Sequence, residues 1–436
     1  MLARILLFLF ALALNLPVQA QMETPCPKKL PGGTSCWNGR DENGAFYWIA
    51  KPANWNGVLI VHVHGGPRTA SPNLDSPVED LERWAIEVAE GYAWVGSSFR
   101  RGGYGVSMAA EDSENGRRIY VRKFGAPKRT ILHGQSWGGG VAARTIEVFA
   151  GTTDGKQNYD GVLLTSGVLA VNSMAYDFRA DLRAVYQFYC RNLPKPDEPQ
   201  YPLNLGLPAG TRMSAKEVAE RVNTCTGVQL AADKRSEAQR RNLANITRVL
   251  KIPERSLVGH MDWSTLLFQD ITQRMLGGKS PFSNLGVKYA GSDDDEALNN
   301  AVVRFAADPV AVADFARDGD ATGAIPVPVL TLHAIDDPTA FVEFESEYRE
   351  RVGRAGKLDR LVQTFTRESE HSYLSSAEYA ALLEALIGWI DTGKKPSPQT
   401  IAALCETRST LLEGGCHFDI DYRPAPLSAR QYPREK

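Results

Sequence analysis

The chain of 436 residues carries 49 Lys and Arg against 51 Asp and Glu, a net charge of −2, which excludes a strongly basic protein and points to neither nucleic acid nor an anionic membrane surface. Hydrophobic residues make up 43%, enough for a large core in one elaborated domain or two. Six cysteines without C-x-x-C or Cys/His zinc spacing exclude a zinc module and suit an oxidising compartment.

Residues 1–20 have the form of an export signal. Arg4 supplies the positive start, 5–14 the apolar run, and Pro17 to Ala20 a small-residue cleavage site. The run is too short to span a bilayer as a helix, and no second candidate follows it. The expected mature protein is secreted or periplasmic, without a membrane span. The cysteines fall in close pairs, Cys26 with Cys36, Cys190 with Cys225 and Cys405 with Cys416, and neighbour pairing is the simplest connectivity.

An edge strand is predicted over 45–49, then a near-continuous apolar run over 57–64 typical of a strand buried on both faces. A helix is predicted over 78–90 and a strand over 93–99. The apolar strand before Gly134 leads into a helix over 141–149, followed by a strand over 161–166. Strands over 327–333 and 361–366 and helices over 344–352 and 377–390 resume the rhythm. Alternating strands and helices predict an α/β fold, a parallel doubly wound sheet. Residues 172–322 interrupt it with helical patterns, a capping box at Ser214 to Glu217 and hardly any strand signal. The expected organisation is a sheet domain over 21–171 and 323–400, a helical cap over 172–322 stapled by Cys190 and Cys225, and a tail over 401–436. The acidic run 292–296 is expected to be a solvated helix start.

The chemistry centres on Gly134-Gln135-Ser136-Trp137-Gly138, set between a strand and a helix. In a nucleophile elbow the Ser backbone is strained so that the hydroxyl stands above the sheet edge, and the flanking glycines avoid collision with neighbouring elements. Such a Ser needs a base, and the base needs a carboxylate to hold its tautomer. In the order Ser, acid, His, His62, His64 and His133 come too early, and His260 lies in the cap. His333 directly precedes the acid position, and His417 sits in the tail. His371, on the loop after the last strand, is the expected base. Asp336 and Asp337 both follow the preceding strand, with Asp337 preferred; a carboxylate after the 161–166 strand, such as Asp177, is the alternative. The oxyanion donors are expected to be the amides of Trp137 and Gly66, with Gly65 the alternative in His64-Gly65-Gly66-Pro67. Tyr104 and Arg101, in the glycine-rich loop 100–105, are candidate substrate contacts. No metal or cofactor is expected.

These pieces, His-Gly-Gly-Pro (64–67), Arg-Gly-Gly-Tyr-Gly (101–105), Gly-Gln-Ser-Trp-Gly-Gly (134–139), Leu-His-Ala-Ile-Asp-Asp (332–337) and His371, resemble the α/β-hydrolase superfamily over roughly 57–170 and 325–392. The first two are similar to prolyl-oligopeptidase-like peptidases. The export signal and cysteine-bearing insertion are similar to secreted carboxylesterases of the tannase and feruloyl-esterase kind. Two departures from many relatives stand out: Ala334 in place of Gly, and Glu370 in place of Gly before the histidine. The resemblance implies a serine hydrolase of small or polymeric carboxylic esters. A peptidase or amidase is the alternative on the same machinery, and a non-catalytic binding protein the alternative of another class.

Overall fold

The computed structural model describes residues 22–153, 155–169 and 172–435. The expected export signal, 1–20, lies outside the described residues. Nine strands form one sheet: β1 (Met22–Thr24), β2 (Ser35–Arg40), β3 (Phe46–Lys51), β4 (Val58–Val63), β5 (Ala93–Ser97), β6 (Arg129–Gln135), β7 (Gly161–Thr165), β8 (Val329–Ala334) and β9 (Leu361–Thr366). Their spatial order is β1-β2-β3-β5-β4-β6-β7-β8-β9. β1 to β3 and the β3–β5 pair are antiparallel, and every pair from β5 to β9 is parallel. Every residue of β4, β5, β7 and β8 is buried, as the apolar runs require of strands covered on both faces. With helices on both faces, this mostly parallel sheet is the α/β-hydrolase fold.

Two helical expectations change. The helix predicted over 78–90 is two short ones, Val78–Arg83 and Ala85–Ala89, broken at Trp84 (φ −106°, ψ 34°). The break leaves the Trp84 ring 4.5 Å from that of His62. A 19-residue helix, Val106–Phe124, has no counterpart in the expectation. Its buried positions include Asp112, Glu114 and Arg117, which masks the apolar period. Arg100 Nε donates to Asp112 (2.8 Å), Arg117 Nε to Glu114 (2.8 Å), and the Tyr159 hydroxyl to Glu114 (2.8 Å).

Between β7 and β8 the described residues contain helices and no strand. The longest are Asp177–Cys190, Ala215–Thr226, Glu237–Leu250 and Pro309–Gly319. The Ser214 capping box is present, and Asp294 caps Asp295–Ala301 within the acidic run. Disulfides join Cys26 to Cys36, Cys190 to Cys225 and Cys405 to Cys416. No helix among the described residues is long and apolar enough to cross a membrane.

The C-terminal residues make contacts with the sheet and with the insertion. Helix Pro398–Ser409 runs through the expected boundary at 401. Phe418 then bridges Thr366 at the end of β9. Further on, Arg434 pairs with Asp181 (2.6 Å) in the helical insertion, tying the C-terminal segment to it. Glu378, on helix Ser376–Thr392, accepts from the His417 amide (2.8 Å) and from the Thr366 hydroxyl (2.9 Å). Burial pushes this carboxyl up to about 7. The native protein therefore holds a proton there between about pH 4.5 and 7 that the unfolded chain releases, so stability falls as pH rises through 7. We expect Glu378→Gln to remove up to about 3 kcal/mol of that pH dependence, read from denaturant midpoints at pH 5 and pH 8.

Candidate active site

Ser136 stands where β6 turns into helix Trp137–Phe149, with φ 58° and ψ −127°. That strained backbone, costing of order 1–3 kcal/mol, is held by the surrounding structure. A Cβ on Gly134 would lie 2.6 Å from Ala142 Cβ, and one on Gly138 2.5 Å from the His64 carbonyl oxygen. The Gly-x-Ser-x-Gly spacing is thus demanded by the close approach of helix, strand and the loop after β4.

His371 follows β9 and Asp337 follows β8, so three strand ends bring their loops to one rim. His371 Nε2 is 2.7 Å from Ser136 Oγ, and its Nδ1 is 2.7 Å from Asp337 Oδ2. The other carboxylate oxygen, Oδ1, accepts from the amides of Thr339 (2.7 Å) and Ala340 (3.0 Å), which fixes the plane of the acid. Asp336 is exposed; its backbone oxygen accepts from Arg255 (3.2 Å) of the insertion. Asp177 pairs with Arg434 (3.4 Å), and the ring nitrogens of His371 take Asp337 and Ser136 as their partners. Glu370 is exposed and makes no hydrogen bond to His371. In this arrangement the hydroxyl can give its proton to an imidazole whose opposite nitrogen is already committed to a carboxylate.

The amides of Gly65, Gly66 and Trp137 donate to no acceptor among the described residues. Gly65 presses against the elbow, since a Cβ there would lie 3.0 Å from the Gln135 carbonyl oxygen and 3.2 Å from Ser136 Cβ. Gly66 has φ 65° with open space where a Cβ would stand. The two loop candidates for substrate contact part company. Tyr104 is fully buried: its hydroxyl bonds to Asn172 Oδ1, its amide donates to Asp270 (2.6 Å), and its ring packs 5.4 Å from Trp137. Its side chain is packed in the core beside the residue that follows Ser136. Arg101 is exposed and lines a cavity of about 170 Å³ with His64, Pro67, Arg68 and Phe99.

The supporting roles of three residues were missed. Gln135 Nε2 donates to Ser372 Oγ (2.8 Å) and to the His371 carbonyl (3.3 Å), holding the loop that carries His371. Asp80 bonds to His64 Nδ1 and lies 3.6 Å from His62 Nε2, anchoring the loop after β4. Burial would raise Asp80, but the two imidazoles hold its carboxyl well below the usual range. His260 Nε2 donates to the carbonyl of Pro338 (2.9 Å), the residue after Asp337. Only folding reveals these partners, because each pair is far apart in the chain. Among the described residues, His62, Glu87 and His133 gather one ligand atom each within 4.8 Å. His133 Nδ1 is 2.6 Å from Glu87 Oε1, an ion-pair distance, while both carboxylate oxygens of Glu87 are buried without a hydrogen-bond partner among the described residues.

No protein-family model matches the chain. Over 116 residues it is 28% identical to o-phthalyl amidase of Xanthobacter agilis, a stretch covering 26% of this chain and 24% of that protein, so the match spans about a quarter of the relative's length. Among solved structures, an esterase from Aspergillus oryzae aligns with TM-score 0.47 and 13% identity over 88% of each chain. Candida antarctica lipase A in its closed state aligns with TM-score 0.47 and 12% identity, over 92% of this chain and 94% of that one. By its own sheet topology the chain is an α/β-hydrolase-fold protein, with Ser136, His371 and Asp337 hydrogen-bonded in series at the C-terminal ends of β6, β9 and β8.

Proposed function

We propose that the protein is an exported serine hydrolase that cleaves carboxylic esters. The observation that carries the reading is the imidazole of His371, bonded on one side to Ser136 and on the other to Asp337, 2.7 Å each. Ser136 Oγ attacks the ester carbonyl as His371 takes its proton. The amides of Trp137 and Gly66 receive the oxyanion, each such donor contributing about 3–4 kcal/mol. His371 returns the proton to the leaving alcohol. Water, activated by the same imidazole, then releases the acid from Ser136. Asp337 holds Nδ1 protonated and stabilises the imidazolium. No cofactor takes part. Residues 172–322 serve as the cap over these groups, with Arg255, His260 and Asp270 reaching down to loop residues.

Export by residues 1–20 is part of the proposal, supported by three disulfides. A second reading, amide hydrolysis by the same residues, is favoured by the stretch of similarity to an amidase. Turnover of a panel of p-nitrophenyl esters beside acyl- and aminoacyl-anilides separates the two. The expected result is ester turnover exceeding anilide turnover by at least about 100-fold in kcat/KM. Turnover of anilides alone would reject the ester reading, and inertness toward both would reject hydrolysis.

A further inference from the structure

Arg179 lies in the first turn of helix Asp177–Cys190 and is 1% exposed. Its guanidinium carbon is 5.1, 4.7 and 4.4 Å from the ring centroids of Tyr176, Phe178 and Trp263. It forms no ion pair and no side-chain hydrogen bond with a described residue, and its Nε is sealed without a partner. The same helix carries two carboxylates, but Arg434 takes both: Asp181 at 2.6 Å and Asp177 at 3.4 Å. Burial lowers the Arg179 pKa only to about 10, so the group is cationic at neutral pH. Ring faces offset part of the cost of burying that charge, yet a buried cation without an anion is otherwise unfavourable.

Its location ties it to the reacting groups. On one side the Tyr176 ring packs 5.7 Å from that of Tyr104, which packs 5.4 Å from Trp137, the residue after the nucleophile. On the other, Phe178 meets the His260 ring at 4.9 Å, and His260 bonds to Pro338 beside the acid. Burial, the charge of Arg179 and the nearby His371 together keep His260 neutral. Arg183, one turn further along the helix, also lacks a carboxylate but donates to the Tyr201 hydroxyl and the Gly206 carbonyl (3.4 Å each), whereas Arg179 has neither kind of partner among the described residues.

We propose that Arg179 is a specificity-determining residue that binds the carboxylate of the substrate, so that the preferred ester carries a negative charge on its acyl or alcohol part. This deepens the ester-hydrolase reading and rests on it. A guanidinium presents paired donors matched to a carboxylate. In a dry site an anionic substrate completes the pair that a neutral one leaves open, which makes discrimination large.

The test compares 4-nitrophenyl hydrogen glutarate with its neutral methyl ester. A second series compares 4-acetoxybenzoate with its methyl ester, placing the charge on the alcohol instead. We expect the wild type to prefer the anionic member of at least one series by about 100-fold in kcat/KM. Arg179→Met should erase that preference while changing the neutral member less than about 3-fold, and Arg179→Lys should restore part of it. Equal or greater rates on neutral members in both series would overturn the proposal. So would equal losses on both members in Arg179→Met, the outcome of a purely structural role. If Arg179→Met does not fold, the wild type alone decides: free glutarate or benzoate should inhibit neutral-ester hydrolysis competitively below about 1 mM, and absence of inhibition overturns the assignment. Should no ester be turned over, the hydrolase reading fails separately. Calorimetric titration of benzoate and glutarate then reports on Arg179 directly, with no binding by either counting against it.

Discussion

Ser136→Ala should lower kcat/KM on any ester by about a million-fold, leaving only the residual rate that binding and oxyanion contacts supply. The reason is local. His371 Nε2 has Ser136 Oγ as its 2.7 Å partner, so removing that oxygen removes both the nucleophile and the proton that the base is placed to take. Fluorophosphonate labelling should vanish in the same variant. The fold should persist, because among the described residues the hydroxyl's one hydrogen bond is to His371. Labelling that survives the substitution would show that another side chain is the nucleophile. Unchanged melting with lost labelling is the expected pair of observations.

The second large effect separates two adjacent aspartates. Asp337→Asn should reduce kcat by about 10⁴-fold, whereas Asp336→Asn should stay within about 2-fold. Asp337 accepts from the Thr339 and Ala340 amides through Oδ1, and an asparagine oxygen will keep those bonds. Its NH2 group then faces His371 Nδ1, where the carboxylate oxygen stood at 2.7 Å. A donor there forces Nδ1 to accept, which places the imidazole proton on Nε2, pointing at the serine. The base is then unable to receive the hydroxyl proton. Asp336 offers only a backbone carbonyl to Arg255 and is otherwise exposed, so its charge contributes little to the reaction. Equal losses in both variants would mean that the turn as a whole, rather than one carboxylate, supports catalysis. Steady-state rates with a neutral p-nitrophenyl ester keep this comparison independent of Arg179.

What was legible in the sequence is what short-range physics dictates. The apolar runs of β4, β7 and β8 announce strands buried on both faces, because burial is written into every residue of such a strand. Gly134, Ser136 and Gly138 announce the elbow, because sterics within five residues demand them. Chain order then narrows the histidines to His371. What only the tertiary structure decided depends on partners far away along the chain. Helix Val106–Phe124 escaped notice since its buried Asp112 and Glu114 are neutralised by Arg100 and Arg117 rather than replaced by apolar residues. That the loop residue Tyr104 is buried became visible only when its hydroxyl met Asn172, 68 positions later. The choice between Asp336 and Asp337 rests on which carboxylate the fold turns toward His371, 34 positions beyond Asp337. Arg179 carries the same lesson: a charge is ordinary in a sequence and becomes informative only when folding removes water from it and supplies no counter-charge.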